Sequence, residues 1–431
     1  MRVAVIGAYG LIGSGITQRL VRDGHTVIGV GRDAVAARQV HPRLDWRLAD
    51  MRQLTRAEAW TPLLANVDAV VNCSGALQDG PADDLSAVQH NAVAALAETC
   101  AARGIRIVQI SAIGATHDAP TAFMRTKALG DDAIRKSGAA FVILRPGLVL
   151  SQQSYGGTAL LRMLATVPLV QPLALPNAKI QTVSNDDVAR IVSAALSDKL
   201  PDRYEADLVE AEVHSLRDLV NAMRNWLGFG PARYEWHVPA PITRGMSLCA
   251  DQLARLGWRS PLRSTAVTVL SDGVTGSAPD LAPLGLEPLQ SLTETLHASP
   301  ARSEDRLAAR IHLLMPLLVA VMAVFWFLSG LIALVQVSAA ASVLTAVGWS
   351  GFWAVSSVVF WACVDIGIAA ALVYRPTAKR ACWAAFGVSL FYLGSATVVT
   401  PHLWADPLGP LVKVLPALGL ALVTRVALET R

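Results

Sequence analysis

The sequence predicts an α/β Rossmann fold, a doubly wound parallel sheet with a small substrate-side lobe, followed by a C-terminal four-helix transmembrane bundle. Three observations predict it. A glycine-rich loop lies between a short β-branched strand and a helix at the N-terminus; further strands alternate with helices; and charge nearly vanishes between Ile311 and Leu428. With roughly 150 residues to a domain, 431 residues imply two to three units. The expected boundaries are 1–200 for the nucleotide domain, 201–300 for the lobe and linker, and 301–431 for the membrane domain.

Arg2–Ile6 is short, apolar and continuous, as a buried parallel strand is. The loop Gly7, Ala8, Tyr9, Gly10, Leu11, Ile12 and Gly13 follows, then a helix from Ser14 to Asp23 and a second strand over Thr26–Val30. In such a loop the first glycine permits the tight turn and the second lets backbone approach a pyrophosphate. The third lets the helix pack close to its strand. The helix start then offers free N–H groups and a positive dipole end to phosphate. A bare three-glycine pattern is weak, but its position between strand and helix is the context that nucleotide binding needs. After the second strand stands Gly31-Arg32, where an NAD-binding domain carries Asp or Glu for the ribose 2′-OH. A guanidinium grips a 2′-phosphate, so NADP is expected over NAD; Asp33, one residue later, is expected to turn away.

Strands are expected over Asp68–Cys73, Arg106–Ser111 and Ala140–Leu144, and helices over Leu85–Arg103 and Phe123–Ser137. A helix over Val183–Leu196 comes next. A short strand near Tyr204–Leu208 then opens a helical stretch reaching Leu227. Gly228–Pro300 is rich in Pro, Gly and Trp, with helices near Cys249–Leu256 and Ser264–Gly273.

The net charge of +4 gives no reason to expect nucleic acid as a partner. The five cysteines form no CxxC pair and have no metal-ligand spacing, so neither a metal nor a disulfide framework is expected. Met1–Gly7 is too short for the apolar core of a signal peptide, and the first 300 residues are expected in the cytoplasm.

The ordered segments Gly7–Gly13, Asp50-Met51, Asn72–Ala76, Ile110–Ala115, Arg125–Ala128, Leu144–Gly147 and Val183–Val188 resemble the atypical short-chain dehydrogenase/reductase superfamily. The likeness is greatest to the branch that includes the nucleotide-binding accessory subunit of respiratory complex I. The resemblance implies that Asp50, with Met51, contacts adenine and that Cys73, Ser74, Gly75 and Ala76 line the cofactor. It implies that Asn91 lies on the next helix, that Lys127 holds the nicotinamide ribose, and that Pro146 and Gly147 shape the nicotinamide side. Ser111 and Lys127 stand at two of the superfamily's catalytic positions. The third, a Tyr four residues before the Lys, is Phe123, which cannot exchange a proton. Tyr155, His117 or a ribose–water network are candidate substitutes.

Four apolar spans are expected near Ile311–Val335, Phe352–Tyr374, Ala381–Val399 and Pro410–Leu428, each near the ~20 residues that a bilayer needs. Arg302, Arg306 and Arg310 precede the first. Arg375, Lys379 and Arg380 join the second to the third, and Arg425 and Arg431 end the chain. The positive-inside rule then puts both termini in the cytoplasm, at the inner membrane in a bacterium. Phe325–Gly330, Asp365 and Trp404–Pro410 with Lys413 and Pro416 resemble the DoxX-like family of small membrane proteins, linked with quinone and thiol redox systems. Asp365, deep in the second span, must face the bundle interior or water, as a proton or ligand site or in a hydrogen bond to Ser329. Its pairing with Lys413 is disfavoured by a depth difference of about 13 Å. Trp326, Trp353 and Trp404 read as packing or interface residues.

The expected function is a membrane-anchored, NADP(H)-binding oxidoreductase with a lipophilic or quinone-like acceptor. The alternative, which Phe123 favours, is a non-catalytic nucleotide-binding scaffold or sensor for a membrane complex.

Overall fold

The computed structural model describes residues 1–80, 83–153, 156–258, 260–407 and 409–430. They group into two units, Met1–Asp251 with Ser260–Arg302, and Gln252–Arg259 with Ser303–Arg431.

The first unit begins β1 (Arg2–Ile6), α1 (Leu11–Arg22), β2 (Thr26–Gly31), α2 (Ala34–Val40), β3 (Asp45–Leu48) and α3 (Ala57–Trp60). It continues β4 (Ala69–Asn72), α4 (Ala92–Arg103), β5 (Arg106–Ile110), α5 (Ala122–Lys136) and β6 (Phe141–Pro146). Alternate residues of β1 feed two cores. Val3 and Val5 pack with Ile16, Leu20 and Val188. Ala4 and Ile6 pack with Ile28, Leu96 and Ile134 on the other face. Burial on both faces explains why these strands read as continuous apolar runs. α2 forms because the Asp33 carboxylate accepts from the N–H groups of Val35 and Ala36. The helix expected from Leu85 carries a π-helical turn over Ala87–Asn91 ahead of α4.

Next come β7 (Leu148–Leu150), α6 (Gly156–Ala165), β8 (Val170–Leu173), β9 (Lys179–Ile180), β10 (Thr182–Ser184), α7 (Asn185–Leu196) and β11 (Tyr204–Leu208). They are followed by β12 (His214–Ser215), α8 (Leu216–Trp226), β13 (Tyr234–His237), α9 (Ala240–Arg255), α10 (Ser264–Asp272) and α11 (Leu292–Ala298). The helix expected before Leu227 starts only at Leu216, where Ser215 and Asp218 close a capping box. β11 pairs with β6, so the main sheet extends past residue 200. Its seven parallel strands run in the order β11-β6-β5-β4-β1-β2-β3. The order reverses between β1 and β4, and a doubly wound sheet binds its ligand in the crevice at that point.

The second unit holds α12 (Ser303–Val335), α13 (Val337–Ala346), α14 (Gly351–Val373), α15 (Arg375–Val399) and α16 (Val414–Ala427). Three of these, α12, α14 and α15, are long and apolar enough to cross a membrane. The four-helix expectation differs here in two ways. The uncharged loop after the first span contains the short apolar helix α13, and the fourth expected span is regular helix only over the 14 residues of α16. That is roughly 21 Å, short of the ~30 Å hydrocarbon core. Pro407, Pro410 and Gly409, with φ +55°, precede α16 and delay its first regular turn. α12 packs on α14, α14 on α15 and α15 on α16. At the α12–α14 crossing, a Cβ on Gly330 would lie 2.5 Å from the Ala362 carbonyl oxygen, so only glycine permits the approach.

Candidate functional site

The loop after β1 is shaped by its glycines. Gly7 has φ +76°, and a Cβ there would press on the Cys73–Ser74 peptide at 3.2–3.3 Å. A Cβ on Gly13 would stand 2.2 Å from the Gly7 carbonyl oxygen, so α1 starts against the loop only because that position is bare. Ala8 and Gly13 are buried, while Tyr9, Gly10, Leu11 and Ile12 are half-buried along the crevice. Gly10 is the N-cap of α1 and brings no side-chain hydrogen bond, leaving the first-turn amides for an outside acceptor. A bare cradle, uncapped amides and the sheet's switch point together fit a dinucleotide diphosphate. Asn185 braces this start from α7, donating to the Leu11 carbonyl at 3.1 Å. Its amide occupies the space a side chain on Gly15 would need. Neither Asn185 nor Gly15 had a stated role from sequence.

At the far end of β2, Tyr9 lies over Gly31, and its hydroxyl accepts from the Arg32 N–H at 3.3 Å. The Tyr9 ring also meets Trp46 of β3 at 5.9 Å. The Arg32 guanidinium pairs with Asp83 at 2.7 Å. Asp50 does not point outward alone: it is paired with Arg52 at 2.5 Å and also caps the turn Met51–Gln53. The Arg52 bond, with Arg32 also nearby, holds the Asp50 carboxyl below the usual range. Met51 is buried beneath this turn. Two guanidiniums therefore flank the β2–β3 edge, each facing a carboxylate. Arg52 was missed because it lies outside the sequence pattern that singles out Arg32.

Across the crevice, Lys127 of α5 is buried and donates to the carbonyls of Ser74 (3.2 Å), just past β4, and Ile110 (3.0 Å), the last residue of β5. Ser111 donates to Asp131 at 2.5 Å. Asp131 lies one helical turn beyond Lys127 and is itself buried. Burial lowers the Lys127 amine and raises the Asp131 carboxyl. The spacing i, i+4 in Lys127-Ala-Leu-Gly-Asp131 is the sequence signal that could have found Asp131. Phe123 sits half-buried in the first turn of α5. His117 pairs with Asp132 at 2.8 Å on an exposed surface, and Tyr155 lies outside the described residues.

The β4 loop is held from within. Asn72 accepts from the Ser74 N–H and hydroxyl and donates to Gln109. Cys73 and Ala76 are half-buried, Gly75 is exposed, and burial of the Cys73 thiol pushes it up to about 12. Gln89, rather than Asn91, reaches this loop: its amide donates to the Ala76 carbonyl at 2.6 Å and its oxygen accepts from Thr126. Asn91 is exposed at the end of the π turn. The widened turn rotates the face of the helix, a shift that α-helical spacing does not foresee. Pro146 is buried at the end of β6. Gly147 follows where the Gln181 carbonyl would stand 2.5 Å from a Cβ.

A cavity of about 190 Å³ lies beside α1, lined by Ser14, Gln153, Arg162, Trp226 and Thr295 among others. None of Ser111, Lys127 and Asp131 lines it, so it is separate from the cluster on α5. In the second unit, Asp365 of α14 is buried and accepts from Ser329 of α12 at 2.7 Å and Tyr392 of α15 at 2.8 Å. Tyr392 supplies the partner that sequence had not identified. Of the three spans' tryptophans considered earlier, Trp326 is buried, while Trp353 and Trp404 are exposed.

Comparison with known proteins agrees with this division. An NAD(P)H-binding family model matches residues 7–199, and a DoxX-like family model matches residues 323–422. A ceramide reductase of Caulobacter vibrioides is 21% identical over 249 residues, 56% of this chain and 76% of that protein. An uncharacterized protein of Mycobacterium tuberculosis is 24% identical over 230 residues, 52% of this chain but 23% of its own length. Among solved structures, the Citrobacter sp. triphenylmethane reductase complexed with NADP(H) superposes with a TM-score of 0.53 at 17% identity. That match covers 69% of this chain and all of that one, and shows the shared fold. The chain joins an NAD(P)-binding domain to a DoxX-like domain that carries three long apolar helices.

Proposed function

We propose that the chain is a membrane-anchored NADP(H)-dependent reductase whose acceptor is a lipophilic carbonyl compound or a quinone. The observation that carries the reading is the uncapped start of α1 behind the bare Gly7–Gly13 loop, with Arg32 and Arg52 at the adenosine edge. The guanidiniums favour a 2′-phosphate and hence NADP over NAD. When bound, the dinucleotide supplies a hydride to the acceptor. The chain's own residues hold the diphosphate on backbone amides, grip the third phosphate with arginine, and keep Lys127 and Ser111 at the strand ends. A lipophilic acceptor is supported by the apolar helices and by the name of the Caulobacter relative, a reductase of a membrane lipid. The basic residues at the starts of α12 and α15, with Arg425 in the last turn of α16, support cytoplasmic termini and four crossings, with α16 as the last, in the inner membrane of a bacterium.

The test is NADPH oxidation by the full chain in nanodiscs, offered long-chain carbonyl lipids and quinones. Turnover with either supports the reading. Tight NADPH binding without turnover over both classes favours a non-catalytic scaffold or sensor instead. Phe123 supports that second reading, because it removes the superfamily's proton donor.

A further inference from the structure

β2 ends in Gly29-Val30-Gly31, and its two glycines, being alternate residues, lie on one face of the strand. That bare face seats two aromatic rings. Trp46 stands opposite Gly29 on β3, and a Cβ on Gly29 would meet its ring at 2.6 Å. A Cβ on Gly31 would run into the ring of Tyr9. The two rings are 5.9 Å apart and inclined at 35°. The Trp46 indole donates to the His41 carbonyl at 3.1 Å, which fixes its side of the pair. Tyr9 is therefore packed onto the end of β2, although it belongs to the glycine loop.

The hydroxyl of that ring is only half used. A phenol can donate one hydrogen and accept on its oxygen. The Tyr9 oxygen accepts from the Arg32 N–H at 3.3 Å, while among the described residues its own hydrogen has no acceptor. Arg32 is the first residue after β2, where a doubly wound sheet holds the 2′ position of the adenosine ribose. A 2′-hydroxyl is met there by a carboxylate, whereas a 2′-phosphate calls for donors. Arg32 and Arg52 each face a carboxylate, Asp83 and Asp50, with which a phosphate must compete. The Tyr9 hydroxyl can give its hydrogen to a phosphate oxygen without displacing a carboxylate.

We propose that Tyr9 determines cofactor specificity directly, its hydroxyl donating to the 2′-phosphate of NADP(H) while its oxygen stays on the Arg32 N–H. The loop that cradles the diphosphate thereby also reads the ribose, through one side chain laid along the strand. Gly29 and Gly31 are bare because the two rings occupy the space their side chains would fill. The proposal rests on the reading that the crevice takes NADP(H).

Tyr9→Phe removes the hydroxyl and keeps the ring, so the seat on Gly31 and the contact with Trp46 survive. Calorimetric titration of the full chain in nanodiscs compares two pairs of ligands, NADPH with NADH and adenosine 2′,5′-bisphosphate with 5′-AMP. The parent should bind the 2′-phosphorylated member of each pair more tightly. Tyr9→Phe should weaken those two about tenfold, the loss of one hydrogen bond to a charged group, and the other two by less than about twofold. NADH and 5′-AMP occupy the same loop and so control for its folding. The loss should persist in an Arg32→Ala background. With the parent's preference intact, equal losses for all four ligands, or none, overturn the proposal and leave the NADP reading standing. A loss that vanishes once Arg32 is gone makes Tyr9 a support for that guanidinium and overturns the direct contact. A parent that binds both members of each pair alike sinks the NADP reading, and the proposal with it.

Discussion

At the scale of single residues, the proposed preference for NADP rests on two guanidiniums that already have partners. Arg32 faces Asp83 and Arg52 faces Asp50, so a 2′-phosphate must compete with a carboxylate for each. A hydrogen bond to a charged group is worth about 1.5–3 kcal/mol, and that competition places the net gain at the lower end. Arg32→Ala should weaken NADPH binding about tenfold, following ~1.4 kcal/mol per decade, and change NADH binding by less than about twofold. Calorimetric titration of both dinucleotides checks it; equal losses for the two would remove Arg32 from 2′-phosphate recognition. Position 123 poses a separate question, because the Ser111 hydroxyl is turned to Asp131 and Lys127 to two carbonyls. If only the proton donor is missing, Phe123→Tyr should raise carbonyl reduction on the order of 10²-fold at unchanged NADPH affinity. Unchanged turnover would mean that the pocket departs from a reductase in more than that ring. The glycine loop and Lys127 were legible because each must occupy one place relative to a strand end. Asp131, Gln89 and Arg52 were not, since their roles depend on which helix face or turn reaches the crevice.

At the scale of elements, the edge of the main sheet shows how α5 is kept in place. Glu205 of β11 accepts from Arg135 of α5 at 2.7 and 2.8 Å and also pairs with Arg145 of β6. These hydrogen bonds, the one from Arg135 foremost, hold the Glu205 carboxyl below its ordinary 4.5. A carboxylate with a depressed folded value adds stability that is fully present above pH 4.5 and is lost as pH falls through that lower value. Glu205→Gln should therefore lower the Tm at pH 7 by about 2–4 °C, the effect of a partly screened pair worth about 1 kcal/mol. The gap from the parent should close as the pH falls below 4.5. Thermal unfolding of both proteins across that range measures it, and a pH-independent gap would show that packing, not charge, is responsible. Sequence placed β1, β2, β4, β5 and β6 because buried parallel strands are continuous apolar runs. It passed over α2, which depends on one capping aspartate, and the π turn at Ala87–Asn91, which apolar periodicity absorbs without a visible break.

On the scale of the whole molecule, the number of crossings decides where the C-terminus lies, and α16 is the element in question. α12, α14 and α15 each exceed the ~20 residues that a hydrocarbon core requires, whereas α16 has 14. The turns at 410–413 and the 3₁₀ turn Leu428–Thr430 lengthen the apolar segment at both ends, and Arg375 at the start of α15 donates to the Leu428 carbonyl at 3.1 Å. That bond brings the end of α16 to the same end of the unit as the start of α15. If α15 crosses the bilayer and α16 runs back beside it over its full length, α16 must cross as well. The membrane thins or the flanking residues adjust to cover its shorter core at modest cost. A fluorescent protein that folds only in the cytoplasm, fused after Arg431, should then be as bright as the same protein fused before Met1. Fused after Ala405, between α15 and α16, it should be dark while an exported phosphatase at that site is active. A dark C-terminal fusion would leave three crossings and place α16 flat on the outer surface, with the end of the chain on the side opposite the nucleotide.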